Sequence, residues 1–179
     1  MSAPDDRLSA GIAQAHLADV GDRFAALRDL AERAIAQVDD AALFRSLGVD
    51  DNSIAVLMKH VGGNLQSRFT DLLTTDGEKP ERRRDTEFDA AAGESRQEVE
   101  ARWTAGWRAL ERTLETLEPG DLLQTVSLRG EPLTVLQALS RALAHIAQHV
   151  GQIVLLAKHA AGSQWRTLSI PRAPRPRAQ

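Results

Sequence analysis

Four long segments of the chain carry an apolar residue at every third or fourth position, and this pattern is the strongest constraint on the fold. The spacing places the apolar side chains on one face of an α-helix, which must be buried against other helices. The segments cover about residues 8–38, 53–72, 95–117 and 134–161. The apolar positions of the last and most regular segment are Leu136, Leu139, Leu143, Ile146, Val150, Ile153 and Ala157. The sequence therefore predicts an all-α protein, a four-helix bundle.

The connections between these segments are unequal in length. Residues 39–52 form a predicted loop, whereas residues 76–94 are a charged stretch without a sustained apolar face. The third helix begins after this stretch on the capping-box pattern Ser95-x-x-Glu98. The charged stretch can extend over about 60 Å, and the helix before it is about 35 Å long. We therefore expect a long crossover between helices two and three that spans the bundle and lets these two helices run parallel.

Two smaller features complete the predicted architecture. Residues 122–132 are expected to form a small hairpin around Arg129-Gly130, and Gly162 is a suitable residue to end the fourth helix. After Gly162 the sequence comes to alternate proline and arginine, a composition typical of an extended terminus. We therefore predict one four-helix bundle over residues 1–162, followed by an extended C-terminal tail over residues 163–179.

Composition excludes several classes of site. The chain contains no cysteine, which excludes disulfides, thiolate zinc sites, iron–sulfur clusters and a cysteine nucleophile of its own. The net charge of −3 gives no reason to expect binding to nucleic acid, and the tail residues Arg172, Arg175 and Arg177 lack interleaved aromatic residues. We find neither a signal-peptide pattern nor an apolar stretch of about 20 residues, so we expect a cytoplasmic protein without membrane association.

The histidines are the candidate ligands of a metal ion. His145 and His149 are four residues apart on the most regular helix, so both imidazoles lie on one face, about 5–6 Å apart at Cβ. His60 lies on the buried side of the second helix, and a facing helix is where a bundle supplies a further ligand. The alternative is structural: a hydrogen-bonded histidine pair at a helix boundary and a lone core histidine.

Neighbouring residues exclude two common helical metal sites. A zincin requires glutamate directly after its first histidine, where this chain has Ile146. A ferritin-like di-iron site requires Glu-x-x-His pairs, and the residues three before the histidines are Leu57, Ala142 and Ile146. A mononuclear three-histidine site with open positions remains, which suits zinc, nickel or ferrous iron. Asn64 and Gln152, each about one turn from a histidine, are expected to orient the imidazoles or to be ordinary boundary polar residues.

The motifs around these histidines resemble the DinB/YfiT-like superfamily. His60 lies in MKHVGGN, the crossover contains DGEKPERRRDTEF, His145 and His149 lie in HIAQHVGQIVLLAKH, and the tail contains LSIPR. The resemblance covers about residues 15–173, and the crossover and tail motifs point to an uncharacterised bacterial subgroup. It implies a four-helix bundle with a crossover between helices two and three, often dimeric, that binds nickel or zinc through His60, His145 and His149.

Two classes of function follow from the resemblance and the histidines. Some members of the superfamily are metal-dependent transferases that use a low-molecular-weight thiol, and a divalent ion lowers the pKa of a bound thiol or water. The first prediction is therefore a metal-dependent transferase or hydrolase acting on a small molecule. The alternative is a non-catalytic metal-binding module or a homodimeric interaction protein, because the sequence places no obvious general base beside the histidines.

Basic residues in the crossover suggest a possible binding site for an anion. Lys79 and the run Arg82 to Arg84 could bind an anionic cosubstrate if the crossover folds over the site. Acidic residues interleave with them, however, and this favours local salt bridges on a solvated loop.

Overall fold

The computed structural model describes residues 4–89 and 93–170, with side chains from residue 8 onward. The helices in these residues are α1 (Pro4–Ile35), α2 (Asp40–Phe44), α3 (Ile54–Phe69), α4 (Arg96–Thr116) and α5 (Val135–Ala161). Two strands, β1 (Thr125–Leu128) and β2 (Glu131–Thr134), pair as an antiparallel hairpin. Short 3-10 helices lie at Arg84–Glu87, Pro119–Leu123 and Gly162–Gln164. The four long helices share one apolar core, so the predicted helical bundle is confirmed.

The starts of three long helices follow from their sequences. In α3, α4 and α5 a hydroxyl side chain before the first turn accepts a hydrogen bond from a backbone N–H three residues further on. These N-cap residues are Ser53, Ser95 and Thr134. Each bond satisfies an N–H group that has no partner within the helix, which fixes the starting residue. The predicted capping box at Ser95 is present, and a second one begins α5.

Two predicted boundaries are wrong. Residues 39–52, predicted as a loop, contain the short helix α2, which Asp39 caps and whose Leu43 is fully buried. Five residues are too few to reveal a helical period in the sequence. The second long helix ends at Phe69 rather than near residue 72 because Thr70 has an extended backbone with a ψ of 119°, and Asp71 follows with a φ of 51°.

Contacts between α3 and α4 establish that the two helices are parallel. Gly62 on α3 packs against Gly106 on α4, and one to two turns later the Phe69 carbonyl accepts a hydrogen bond from Thr113 Oγ1. Contacts therefore advance in the same direction along both helices. The chain must return to the starting end of the bundle between them, which confirms the predicted crossover.

The predicted hairpin is confirmed, and it is tied to the crossover. Arg129 and Gly130 form its turn with φ values of 56° and 75°, as a type I′ turn requires. The carboxylate of Asp76 accepts hydrogen bonds from the Ser127 hydroxyl and from the N–H groups of both turn residues. These bonds, first that from Ser127, hold the pKa of Asp76 well below its usual value. The start of the crossover is therefore fixed against the hairpin.

The first part of the predicted tail packs on the bundle. Gln37, just beyond α1, exchanges hydrogen bonds with the backbone N–H and carbonyl of Arg166, and Trp165 packs against the core. Residues 171–179, which include the tail arginines, lie outside the described residues. The division into a bundle ending at residue 162 and an extended tail therefore stays a prediction. Within the described part of the chain, no helix combines the length and apolarity needed to cross a membrane.

Candidate metal centre

The three predicted histidines come together between α3 and α5. The Nε2 atom of His145 lies 3.2 Å from that of His60 and 3.2 Å from that of His149. One ring nitrogen from each histidine lies within 4.8 Å of the other two. His60 is buried and the other two are partly buried, so the cluster occupies a groove rather than open solvent. Three imidazoles with converging nitrogens can bind one metal ion.

Hydrogen bonds on the far side of two rings decide which nitrogens are free. His60 Nδ1 donates to Glu87 Oε2 at 2.9 Å, and His149 Nδ1 donates to Gln152 Oε1 at 2.8 Å. A neutral imidazole carries one proton, so both Nε2 atoms present a lone pair toward His145. Imidazoles in metal sites are typically held in this way by an acceptor on their other nitrogen.

The cluster is incompletely satisfied without a cation. His145 has one proton, and its Nε2 faces two lone pairs while its Nδ1 is buried with no hydrogen-bond partner among the described residues. The proton of His145 can therefore serve at most one of the two Nε2 lone pairs, whereas a cation can bind all three Nε2 atoms. The Nδ1 atom of His145 has no partner among the described residues in either case. Two nitrogens bound to one zinc ion at about 2.0–2.1 Å with tetrahedral angles lie about 3.3–3.4 Å apart. Two of the three separations are 3.2 Å, close to this value, and the third lies within 4.8 Å, so the arrangement is compatible with one metal ion.

Burial keeps the imidazoles of His145 and His149 in the neutral form that binds metal. It lowers the pKa of His145 to about 3, with further contributions from His149 and His60. It also lowers the pKa of His149, partly opposed by the hydrogen bond to Gln152. Protons therefore do not compete for these nitrogens near neutral pH.

Glu87, which the sequence did not single out, holds His60 in place from the crossover. Its carboxylate accepts from His60 Nδ1 and from Arg82, whose Nε and Nη2 donate at 2.8 Å each. Burial opposes ionisation of Glu87, but the hydrogen bonds from His60 and Arg82 outweigh it and hold its pKa below the usual value. Gly63 makes room for this carboxylate, because a Cβ there would collide with it.

Other neighbours complete the surroundings of the histidines. The Phe88 ring packs against the His60 ring with centroids 4.7 Å apart, so consecutive residues of the crossover contact the same imidazole. Gln152 contacts His149 as described above. Asn64 is buried, and its Oδ1 has no hydrogen-bond partner in the described part of the chain. The hydrogen bond that orients His60 is therefore made with Glu87 in the crossover and not with Asn64.

Arg82 and Arg84 form the predicted local salt bridges, but the prediction of a solvated loop is wrong at Arg82. Its side chain is only 5% exposed and pairs with Glu87 and Glu78, whereas Arg84 is exposed and pairs with Asp85. The crossover packs onto α3 at Arg82 and leaves a cavity of about 460 Å³ beside Glu87. The three histidines do not line this cavity.

Replacement of Glu87 by glutamine is expected to weaken metal binding about 10–100-fold, because partners of this kind contribute that much to affinity. The amide keeps the size of the side chain but removes the charge that Arg82 and His60 pair with. Competition with a chelating dye would measure the affinity. Glu81→Gln, an exposed position in the same crossover, is the matched control. Equal affinity in wild type and Glu87→Gln would show that the negative charge of Glu87 does not support the site.

Comparison with known proteins gives a family without an assigned activity. No curated protein and no solved structure matches the chain significantly. A sequence profile described as "Protein of unknown function (DUF1572)" matches residues 11–174, most of the chain. The chain therefore belongs to the DUF1572 family.

Proposed function

We propose that this DUF1572 protein binds one divalent transition metal ion through His60, His145 and His149 and uses it in a transferase or hydrolase reaction on a small molecule. The observation that carries the proposal is that the Nε2 atoms of the three histidines converge. The hydrogen bonds from His60 to Glu87 and from His149 to Gln152 leave a free lone pair on Nε2 of these two histidines. A purely structural cluster would leave at least one of the Nε2 lone pairs of His60 and His149 without a proton, because His145 Nε2 can donate to only one of them at a time.

The ion would supply Lewis acidity, lowering the pKa of a bound thiol or water so that it reacts at neutral pH. The residues of the chain have positioning roles. Glu87 fixes the tautomer and plane of His60, Gln152 does the same for His149, and Arg82 holds Glu87. Because the chain has no cysteine, a thiol nucleophile would come from a low-molecular-weight cosubstrate.

Three imidazole ligands suit zinc, nickel or ferrous iron, and we include all three in the proposal. We also propose kinship with the DinB/YfiT-like superfamily. The parallel pair α3 and α4, joined by a crossover, and the histidine positions on α3 and α5 support it.

A second candidate function is a non-catalytic metal-binding module, assembled as a homodimer. One observation favours it: the cavity of about 460 Å³ is not lined by the histidines. In addition, both oxygens of Glu87 accept hydrogen bonds, so this carboxylate is not free to act as a general base.

Metal-loaded protein is expected to catalyse transfer of a small thiol to an electrophilic carbon. With 1-chloro-2,4-dinitrobenzene as the acceptor, a carbon–sulfur bond forms, chloride leaves and the thiol proton goes to solvent. The rate should saturate with thiol, require added zinc, nickel or iron, and vanish in His149→Ala. A parallel screen with ester and amide substrates tests hydrolysis. Stoichiometric metal without turnover in either assay would reject the enzymatic proposal and support the binding module.

A further inference from the structure

The cavity beside Glu87 lies between α3, α4 and the crossover and is distinct from the histidine cluster. Its volume of about 460 Å³ is in the range of small-molecule sites, about 300–1,000 Å³. Most of its lining residues have polar or charged side chains, and the basic ones outnumber the acidic ones. The lining residues are Lys59, Gly63, Gln66, Ser67, Thr70, Lys79, Glu81, Arg82, Arg83, Thr86, Glu87 and Arg102.

Positive charge exceeds negative charge around this cavity. Five of the lining residues are lysine or arginine and two are glutamate. The oxygens of Glu87 are already used by His60 and Arg82. Behind the lining, Glu94 lies 2.9 Å from Lys59 and 2.9 Å from Arg102, so one carboxylate serves two cations. Among the described residues Arg82 also pairs with Glu78, whereas neither Lys79 nor Arg83 forms a salt bridge.

Arg82 provides hydrogen-bonding capacity at the edge of this cavity. Two of its nitrogens bind Glu87, but the third, Nη1, is buried and forms no hydrogen bond with any residue that the structure describes. Glu78 lies 3.5 Å from this nitrogen without hydrogen-bond geometry. This nitrogen therefore keeps an N–H group without a hydrogen bond, although the Glu78 carboxylate pairs with it electrostatically.

Basic side chains come from opposite walls of the cavity. Lys79, Arg82 and Arg83 belong to the crossover, while Lys59 lies on α3 and Arg102 on α4. A ligand in the cavity would therefore meet positive charge from the crossover and from the helices. The cavity is partly open to solvent, so a ligand could reach these basic groups from outside.

We propose that this cavity binds a small anionic molecule through phosphoryl or carboxylate groups, with Arg82 and Arg83 contacting it from the crossover and Arg102 from α4. The site uses none of the three histidines, so it stands independently of the proposed function. It is linked to the metal centre by Glu87, which lines the cavity and also accepts from His60.

The test is titration calorimetry at low ionic strength with two probes, inorganic pyrophosphate and tricarballylate. The protein is the His145→Ala variant, because a metal ion would itself bind such anions. The chain offers two matched pairs of variants. In each pair both arginines are exposed, but only the first lines the cavity. The pairs are Arg83→Gln with its neighbour Arg84→Gln, and Arg102→Gln with Arg108→Gln on the same helix.

We expect saturable binding of at least one probe, weakened at least fivefold in Arg83→Gln and in Arg102→Gln. Arg84→Gln and Arg108→Gln should bind as the parent does, and circular dichroism should show the same helix content in all variants. The proposal is overturned if neither probe binds saturably, or if each control variant loses as much affinity as its lining partner. Because the protein tested lacks a metal ligand, either result leaves the proposed metal function undecided and separately testable.

Discussion

Protein purified without a polyhistidine tag is expected to contain about one divalent transition metal ion per chain. Each of the variants His60→Ala, His145→Ala and His149→Ala is expected to lose it. Removal of one imidazole leaves two ligands, and the loss of affinity should exceed the about 10–100-fold that removal of an outer hydrogen-bond partner costs. Elemental analysis after dialysis measures the bound metal.

His159→Ala is the matched control for this experiment. His159 lies on α5, as His145 and His149 do, but it is exposed and is not part of the histidine cluster. Its replacement should leave the metal content unchanged. Metal-free wild type that also refuses added zinc and nickel would contradict the proposal, and so would equal metal content in wild type and all three cluster variants.

Gly106→Ala is expected to lower the free energy of unfolding by about 2–3 kcal/mol, because inserted atoms that force backbone shifts cost this much. A Cβ at Gly106 would collide with the backbone of Gly62, and one at Gly62 would lie 2.6 Å from the Arg102 carbonyl oxygen. The two glycines therefore allow α3 and α4 to touch backbone to backbone. The loss corresponds to a fall of about 4–12 °C in Tm for a chain of this size.

Gly151→Ala gives the opposite expected result. A Cβ at Gly151 on α5 meets no atom within 4 Å, so alanine there adds helix propensity without a collision. We expect a gain of up to about 1 kcal/mol. Thermal unfolding of both variants tests the close contact between the helices, since equal shifts in Tm would mean that α3 and α4 do not touch at these glycines.

The parts of the fold that follow from a repeating residue pattern were predictable from the sequence. The apolar period gave four long helices, and Ser95 with Glu98 gave the start of α4. The histidines that converge were found for the same reason, because an i,i+4 pair needs only a helix to share a face. The short helix α2 escaped because five residues carry no period.

Glu87 escaped for a different reason: its position depends on the path of the crossover, which has no repeating pattern. One signal was available in MKHVGGN. A glycine inside a helix costs about 1 kcal/mol relative to alanine, so adjacent glycines one turn from His60 indicate close neighbours on two sides. The structure identifies those neighbours as α4 at Gly62 and the Glu87 carboxylate at Gly63. Arg82 was predicted to lie on a solvated loop because its sequence neighbours are charged. Its burial depends on the path of the crossover, which those neighbours do not reveal.

The parallel course of α3 and α4 also shapes how the protein folds. Two helices joined by a crossover cannot begin folding as a simple hairpin, and the histidine contact between α3 and α5 joins residues 85 positions apart. The complete ligand set therefore exists only once α5 has docked. A metal ion that binds only the finished site stabilises the folded state by mass action, about 2.7 kcal/mol at a hundredfold excess over Kd. Such a late contact slows unfolding rather than speeding folding, so bound metal would extend the lifetime of the native chain.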